Sequence, residues 1–175
     1  MSARRRVVRD TEGFGLVELM IALTVLNIGI FAVIGAFNSG ALALRRADET
    51  ATASVLADQQ MELYRALTFA NITLVTPSSP DAAYTGDPEY AGQVAWAGAC
   101  PSGVPAQACQ PMQTVTGPDH RLYRVDTYLH QANQSSGPYN VRPVKVVAVV
   151  VRDATLAALP TLVRTSSTFD QSTGT

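Results

Sequence analysis

From Phe14 to Phe37 the chain presents 24 consecutive residues with a single ionisable side chain, Glu18. As a helix, such a run spans about 36 Å, more than the ~30 Å hydrocarbon core of a bilayer. It is also longer than the ~7–15 apolar residues of a secretory signal. Four arginines precede it (Arg4, Arg5, Arg6 and Arg9), so the positive-inside bias keeps this end in the cytoplasm and sends the remainder of the chain across the membrane. The run also accounts for the composition. Hydrophobic residues make up 47% of the 175 and charged residues only 15%, against ~25% in an ordinary soluble domain, which excludes a disordered chain. The net charge of −1 supplies no general field for nucleic acid.

A carboxylate five residues into a membrane segment costs about 2.5–3.5 kcal/mol at the bilayer centre and less near the interface. Glu18 therefore marks a functional position and needs a partner. Its surroundings are Gly13-Phe14-Gly15-Leu16-Val17-Glu18-Leu19-Met20. A basic leader ending in Gly, then Phe, aliphatics and a Glu at the fifth mature position resembles the type IV pilin superfamily, which includes pilins, minor pilins and type II secretion pseudopilins. Val17 is a conservative variant of the pattern, and Gly15 stands where Thr or Ser is commoner. The resemblance covers roughly the first 30 residues.

The resemblance implies several things. A prepilin peptidase/methyltransferase would cut between Gly13 and Phe14 and methylate the new Phe14 amine. Glycine at the cut suits an extended backbone in a protease cleft, where a side chain would crowd it. Loss of the leader leaves 9 basic and 12 acidic side chains, a net charge of −3. Glu18 would pair with the Phe14 amine of a neighbouring subunit and neutralise both charges in a filament core. The implied partners are other pilin or pseudopilin subunits through the N-terminal helix, an inner-membrane assembly platform, and the lipid bilayer before assembly. The implied location is a single pass through the cytoplasmic membrane with the C-terminal domain outside the cytoplasm, then a filament that is extracellular or periplasmic.

Periodicity extends the helix from Leu16 to about Leu67, with no proline before Pro77. Beyond Phe37 an apolar stripe of Leu44, Ala47, Ala51, Val55, Leu63 and Leu67 is expected to carry its packing. Many pilins place a proline near Gly35, and this chain has none. Gly29, Gly35 and Gly40 weaken the helix by about 1 kcal/mol each relative to Ala, or let helices approach closely.

Seven prolines between Pro77 and Pro118 mark an irregular connector, with short strands expected at Gln93–Ala97 and Met112–Thr116. Cys100 and Cys109 lie in it, and two cysteines in an exported turn region are expected to form a disulfide. Three further strands are expected: Arg121–His130 and Leu162–Phe169, with Val144–Val151 central because it is apolar on both faces except at Lys145. Links of about ten residues, Gln131–Pro143 and Arg152–Pro160, would join them.

The organisation is thus a cleaved basic leader over residues 1–13, a membrane and filament-core half-helix over 14–37 and an amphipathic half-helix over 38–69. A connector with the disulfide over 70–120 and an antiparallel meander over 121–175 complete it. The fold class is α+β and pilin-like, a long N-terminal helix, membrane-spanning in its first half, packed on a small antiparallel β-sheet.

No phosphate-binding loop, dinucleotide fingerprint, nucleophile elbow or zinc motif occurs, so no enzyme, catalytic residue, metal or cofactor is expected. His120 and His130 are read as surface or strand residues, and Trp96, Tyr84, Tyr90 and Tyr139 as packing or a partner surface. Lys145 and Arg142, with Arg124 across the strands, raise DNA as a weak partner. The leading functional reading is a minor pilin of a type IV pilus-type filament. The long connector and low-charge domain favour it, and Gly29-Ile30-Phe31 after Leu26-Asn27 is similar to minor pilins of the modification or tip class. The alternatives are a secretion pseudopilin and, in another class, a membrane-anchored adhesin or ligand-binding module that does not polymerise.

Overall fold

The computed structural model describes residues 15–93, 96–135 and 141–171. Helix α1 spans Leu16–Arg65 and is followed by a 3₁₀ turn (Phe69–Asn71), α2 (Ala82–Thr85), a second 3₁₀ turn (Pro88–Gly92) and α3 (Ala106–Cys109). Four strands close the chain: β1 (Met112–Thr116), β2 (Leu122–Ser135), β3 (Val141–Asp153) and β4 (Thr161–Asp170). Two compact units result, Met1–Arg45 and Arg46–Thr175.

Within the described residues of the first unit there is helix and little else. Its large apolar side chains are exposed, from Leu16 at 76% to Phe37 at 76%. A helix apolar on every side is a helix for lipid or for other helices. By length and composition α1 is able to cross a membrane, with a mean hydropathy of 2.4 over its most apolar stretch.

The second unit is built on an antiparallel sheet in the order β1-β2-β3-β4. β3 is interior and β4 forms an edge, as its weak alternation predicts. One sheet face, carrying Tyr123, Val125, Leu129, Val147, Val149 and Val151, packs with the α1 residues Ala53, Leu56, Ala57, Met61 and Tyr64 in one core. The architecture is α+β: a long N-terminal helix packed on a four-stranded antiparallel sheet. The helix face differs from the expected stripe. Val55 is 53% exposed, Leu44 74%, and Ala51 faces out, while Leu63 and Leu67 are half-buried. The buried face runs through Thr52, Ala53, Leu56, Ala57, Gln60, Met61 and Tyr64 instead. An apolar tally misses this face because two of its positions are polar. Gln60 is tolerated there because its Nε2 donates to Gln107 O (3.0 Å) and its Oε1 accepts from Gln113 Nε2 (2.9 Å).

The β2 and β3 strands are also longer than expected, pairing out to Ser135 and Val141, and the next link runs only over 154–160. Pro143 marked a loop end in the sequence but lies within β3 opposite Asn133. β4 pairs only from Val144 onwards, so Pro143 sits in the two-stranded part of the ladder, where a proline is tolerated. Of the expected Gln93–Ala97 strand, only Ala97 pairs, in an isolated bridge with Val75; residues 94 and 95 lie outside the described residues. The β1–β2 turn packs tightly against α1. A Cβ on Gly117 would lie 2.7 Å from the Tyr123 ring and 3.0 Å from the Thr52 methyl, so only glycine fits without displacement.

Candidate assembly segment and the clamped connector

Three polar side chains interrupt the apolar run, and two of them are satisfied by their own helix. Thr24 Oγ1 donates to Met20 O (2.9 Å) and Ile21 O (2.8 Å), and Asn27 Nδ2 donates to Leu23 O (2.9 Å). Ser39, just beyond the run, does the same to Gly35 O at 2.8 Å. Donors can always be handed to a carbonyl one turn back, the arrangement a lipid-facing helix requires. An ionised Glu18 has no donor to hand back, because a carboxylate only accepts. It stands exposed in the first turn of α1, where the helix dipole favours an anion, and has no ion-pair or hydrogen-bond partner among the described residues. Glu18 is the polar group of this segment whose partner must come from outside the helix. Gly13 and Phe14, the expected processing site, lie outside the described residues.

Further along α1, Val25, Leu26, Gly29, Ile30, Val33 and Ile34 line a shallow apolar depression, and a Cβ on Gly29 would meet nothing within 4 Å. The glycine leaves room for a neighbouring helix.

The connector is not a loose loop. Cys100 and Cys109 are joined by a disulfide, with Cα atoms 5.7 Å apart. Its middle part is held on the sheet face opposite α1 by a chain of alternating charges. The β2–β3 register sets Arg124 directly opposite Arg152, a like-charge pair that would be unfavourable alone. Asp126, fully buried, lies between them: Oδ1 accepts from Arg124 Nε at 2.7 Å and Oδ2 from Arg152 Nε at 2.8 Å. The connector supplies the remaining acids. Asp81 accepts from Arg124, and Asp87 from Arg152 Nη2 (2.5 Å) and Arg164 Nη2 (2.8 Å). Glu89 extends the chain to Arg164 (3.3 Å) and to His130, whose Nε2 lies 2.9 Å away. Asp81 and Asp87 also cap local structure, accepting from Tyr84 N (2.9 Å) and Glu89 N (3.0 Å). The same two carboxylates therefore start the connector's turns and fasten them to the sheet.

These contacts set the protonation states. The Arg124 hydrogen bond holds Asp81 below the usual carboxylate range. Burial pushes Asp87 up, but Arg164, the Glu89 amide and Arg152 outweigh it and its pKa is lowered. Asp126 is raised by burial, with Arg124 and Arg152 opposing. Over this frame Tyr84 stacks on Tyr128 at 4.6 Å and meets Tyr90 edge-on at 5.6 Å, with Trp96 at 6.4 Å. The connector aromatics Tyr84, Tyr90 and Trp96 are thus packing; Tyr139 lies outside the described residues.

Of the basic patch expected from Lys145, Arg142 and Arg124, Lys145 and Arg124 are not brought together, and the Arg142 side chain lies outside the described residues. Alternation places the first and last on opposite sheet faces, with Arg124 in the charge chain and Lys145 on the α1 side, donating to the carbonyls of Phe69 and Ile72. Sequence reasoning missed both arrangements. The available signal was the pair of charges two apart, Arg124 and Asp126, in a strand apolar on its other face.

With this geometry in place, comparison with known proteins is informative at the N-terminus. The model of the prokaryotic N-terminal methylation motif matches residues 9–34, the type IV pilin signature. No curated protein and no solved structure matches the chain. The motif, with the apolar helix and the helix-on-sheet fold beside it, supports a type IV pilin-like or pseudopilin exported protein. The motif implies a structural protein, processing by a prepilin peptidase and assembly with other pilin subunits.

Proposed function

We propose that the chain is a minor subunit of a type IV pilus-type filament, made with a leader over residues 1–13, cut after Gly13 and N-methylated at Phe14. The observation that carries this reading is Glu18: within a matched methylation motif, it is the polar side chain of the apolar run whose partner its own helix does not supply. Cleavage creates an ammonium at Phe14, four residues away. In a filament, the Glu18 carboxylate of one subunit accepts from the Phe14 amine of its neighbour, and two charges that are costly in an apolar core become one hydrogen-bonded pair. The leader's arginines hold the precursor in the membrane with its sheet domain outside the cytoplasm, and the exposed apolar face of α1 then exchanges lipid for neighbouring helices.

The test is Glu18→Ala beside Gly13→Val. Glu18→Ala should be processed normally yet enter filaments at least about tenfold less, the equivalent of one unpaired buried charge discounted for its place near the interface. Gly13→Val should keep its leader. Normal incorporation of the Glu18 variant removes the pairing role. Deletion separates the pilus from the secretion reading: loss of surface filaments supports the first, and loss of enzyme secretion with filaments intact supports a pseudopilin.

A further inference from the structure

Lys145 is buried to 9% exposure on the α1 side of β3 and has no carboxylate within ion-pair distance among the described residues. Its ammonium donates to Phe69 O at 2.7 Å and Ile72 O at 2.8 Å and sits 4.7 Å above the Phe69 ring. Two carbonyls and a ring face satisfy part of a cation but leave its charge uncompensated and one N–H without an oxygen. Burying a cation that way is costly, and its usual resolution is a counter-ion.

Lys145 lines a cleft of about 190 Å³ together with Thr73, Trp96, Leu129 and Gln131. Thr73 Oγ1 is buried without a hydrogen-bond partner. Gln93, whose Oε1 accepts from the amide of the lining residue Leu129 at 2.9 Å, likewise has a buried and unpartnered Nε2. All three unmet groups can donate: an ammonium, a hydroxyl and an amide N–H. Around them, Leu129 and the Trp96 ring supply apolar wall. Unmet donors at or next to a cleft whose lining holds no acid fit an anion, and the small volume with its apolar wall fits a short carbon stem behind it.

We infer that this cleft is a binding site for a small carboxylate, held by Lys145 and Thr73 with its stem against Trp96. Cation and carboxylate then form the charge-assisted pair that the fold itself does not provide.

Trp96 is the single tryptophan of the chain and lines this cleft, so a ligand seated there should change its emission. The experiment titrates sodium propionate into the full-length protein in detergent micelles, with sodium chloride at matched ionic strength and propionamide as the neutral isostere. Propionate should change Trp96 emission saturably, and propionamide and chloride should not. Thr73→Val, which preserves shape, should weaken propionate at least about tenfold, the loss of one hydrogen bond to a charged group. Lys145→Met should abolish the response. Should Lys145→Met fail to fold, Thr73→Val decides alone. Absence of saturation, an equal response to propionamide, or unchanged propionate binding in Thr73→Val overturns the inference.

Discussion

Asp126 shows how much of the second unit rests on single side chains. It bridges two arginines that the strand register forces opposite one another, and it is fully buried. Asp126→Ala leaves Arg124 and Arg152 side by side with half their compensation gone, and should destabilise the domain by about 3–5 kcal/mol in a urea titration. A loss under about 1 kcal/mol would mean that Asp81 and Asp87 suffice without it. Glu18 poses the opposite problem, a carboxylate with no partner among the described residues. The two acids differ in how plainly the sequence announces them. Glu18 stands alone in an apolar run, so its cost and its need for a partner are evident from spacing. Asp126 sits in a strand that alternates apolar and charged, a pattern that ordinarily means a solvated face. Only the connector folding over that face turns it into a buried site, and a contact made between segments some 40 residues apart leaves no local periodicity to read.

At the scale of elements, α1 and the positions of the four strands follow from local pattern, because β-branched alternation and 3.6-residue spacing are short-range signals, whereas the pairing of β1 with β2 does not. The strand ends and the buried helix face do not, since Gln60 and Pro143 are admitted by partners elsewhere in the chain rather than by their neighbours in sequence. The connector is the element least constrained by pattern and most by cross-links: aspartate clamps, stacked tyrosines and the Cys100–Cys109 bridge. Closing a loop of that length contributes about 2.5 kcal/mol on the chain-entropy account. Reduction should therefore lower unfolding stability by roughly that amount while the far-ultraviolet dichroism of helix and sheet is retained. Collapse of the whole spectrum on reduction would show instead that the bridge holds more than the connector.

For the whole molecule, the charge chain and two further acids set a pH dependence. Asp81 and Asp87 in the chain, Asp119 accepting from the Tyr123 hydroxyl, and Asp153 accepting from Thr155 and Arg121 have lowered pKa values in the fold. Each contributes stability that is present above the unfolded carboxylate pKa and lost as pH falls through the lower folded value. Asp126, raised by burial, acts in the opposite sense but is one group against four. The urea midpoint should thus fall steadily as pH drops below about 4. A midpoint unchanged down to about pH 2.5 would contradict the clamp. The other property of the whole molecule is its route out of the cytoplasm, which depends on what becomes of its first residues. Intact mass and N-terminal sequence of the native protein from the cell envelope test this most directly. Pilin-type processing predicts a chain beginning at N-methylated Phe14, recovered in a filament fraction. A chain that keeps Arg4, Arg5 and Arg6 and is found only as a membrane monomer would contradict it.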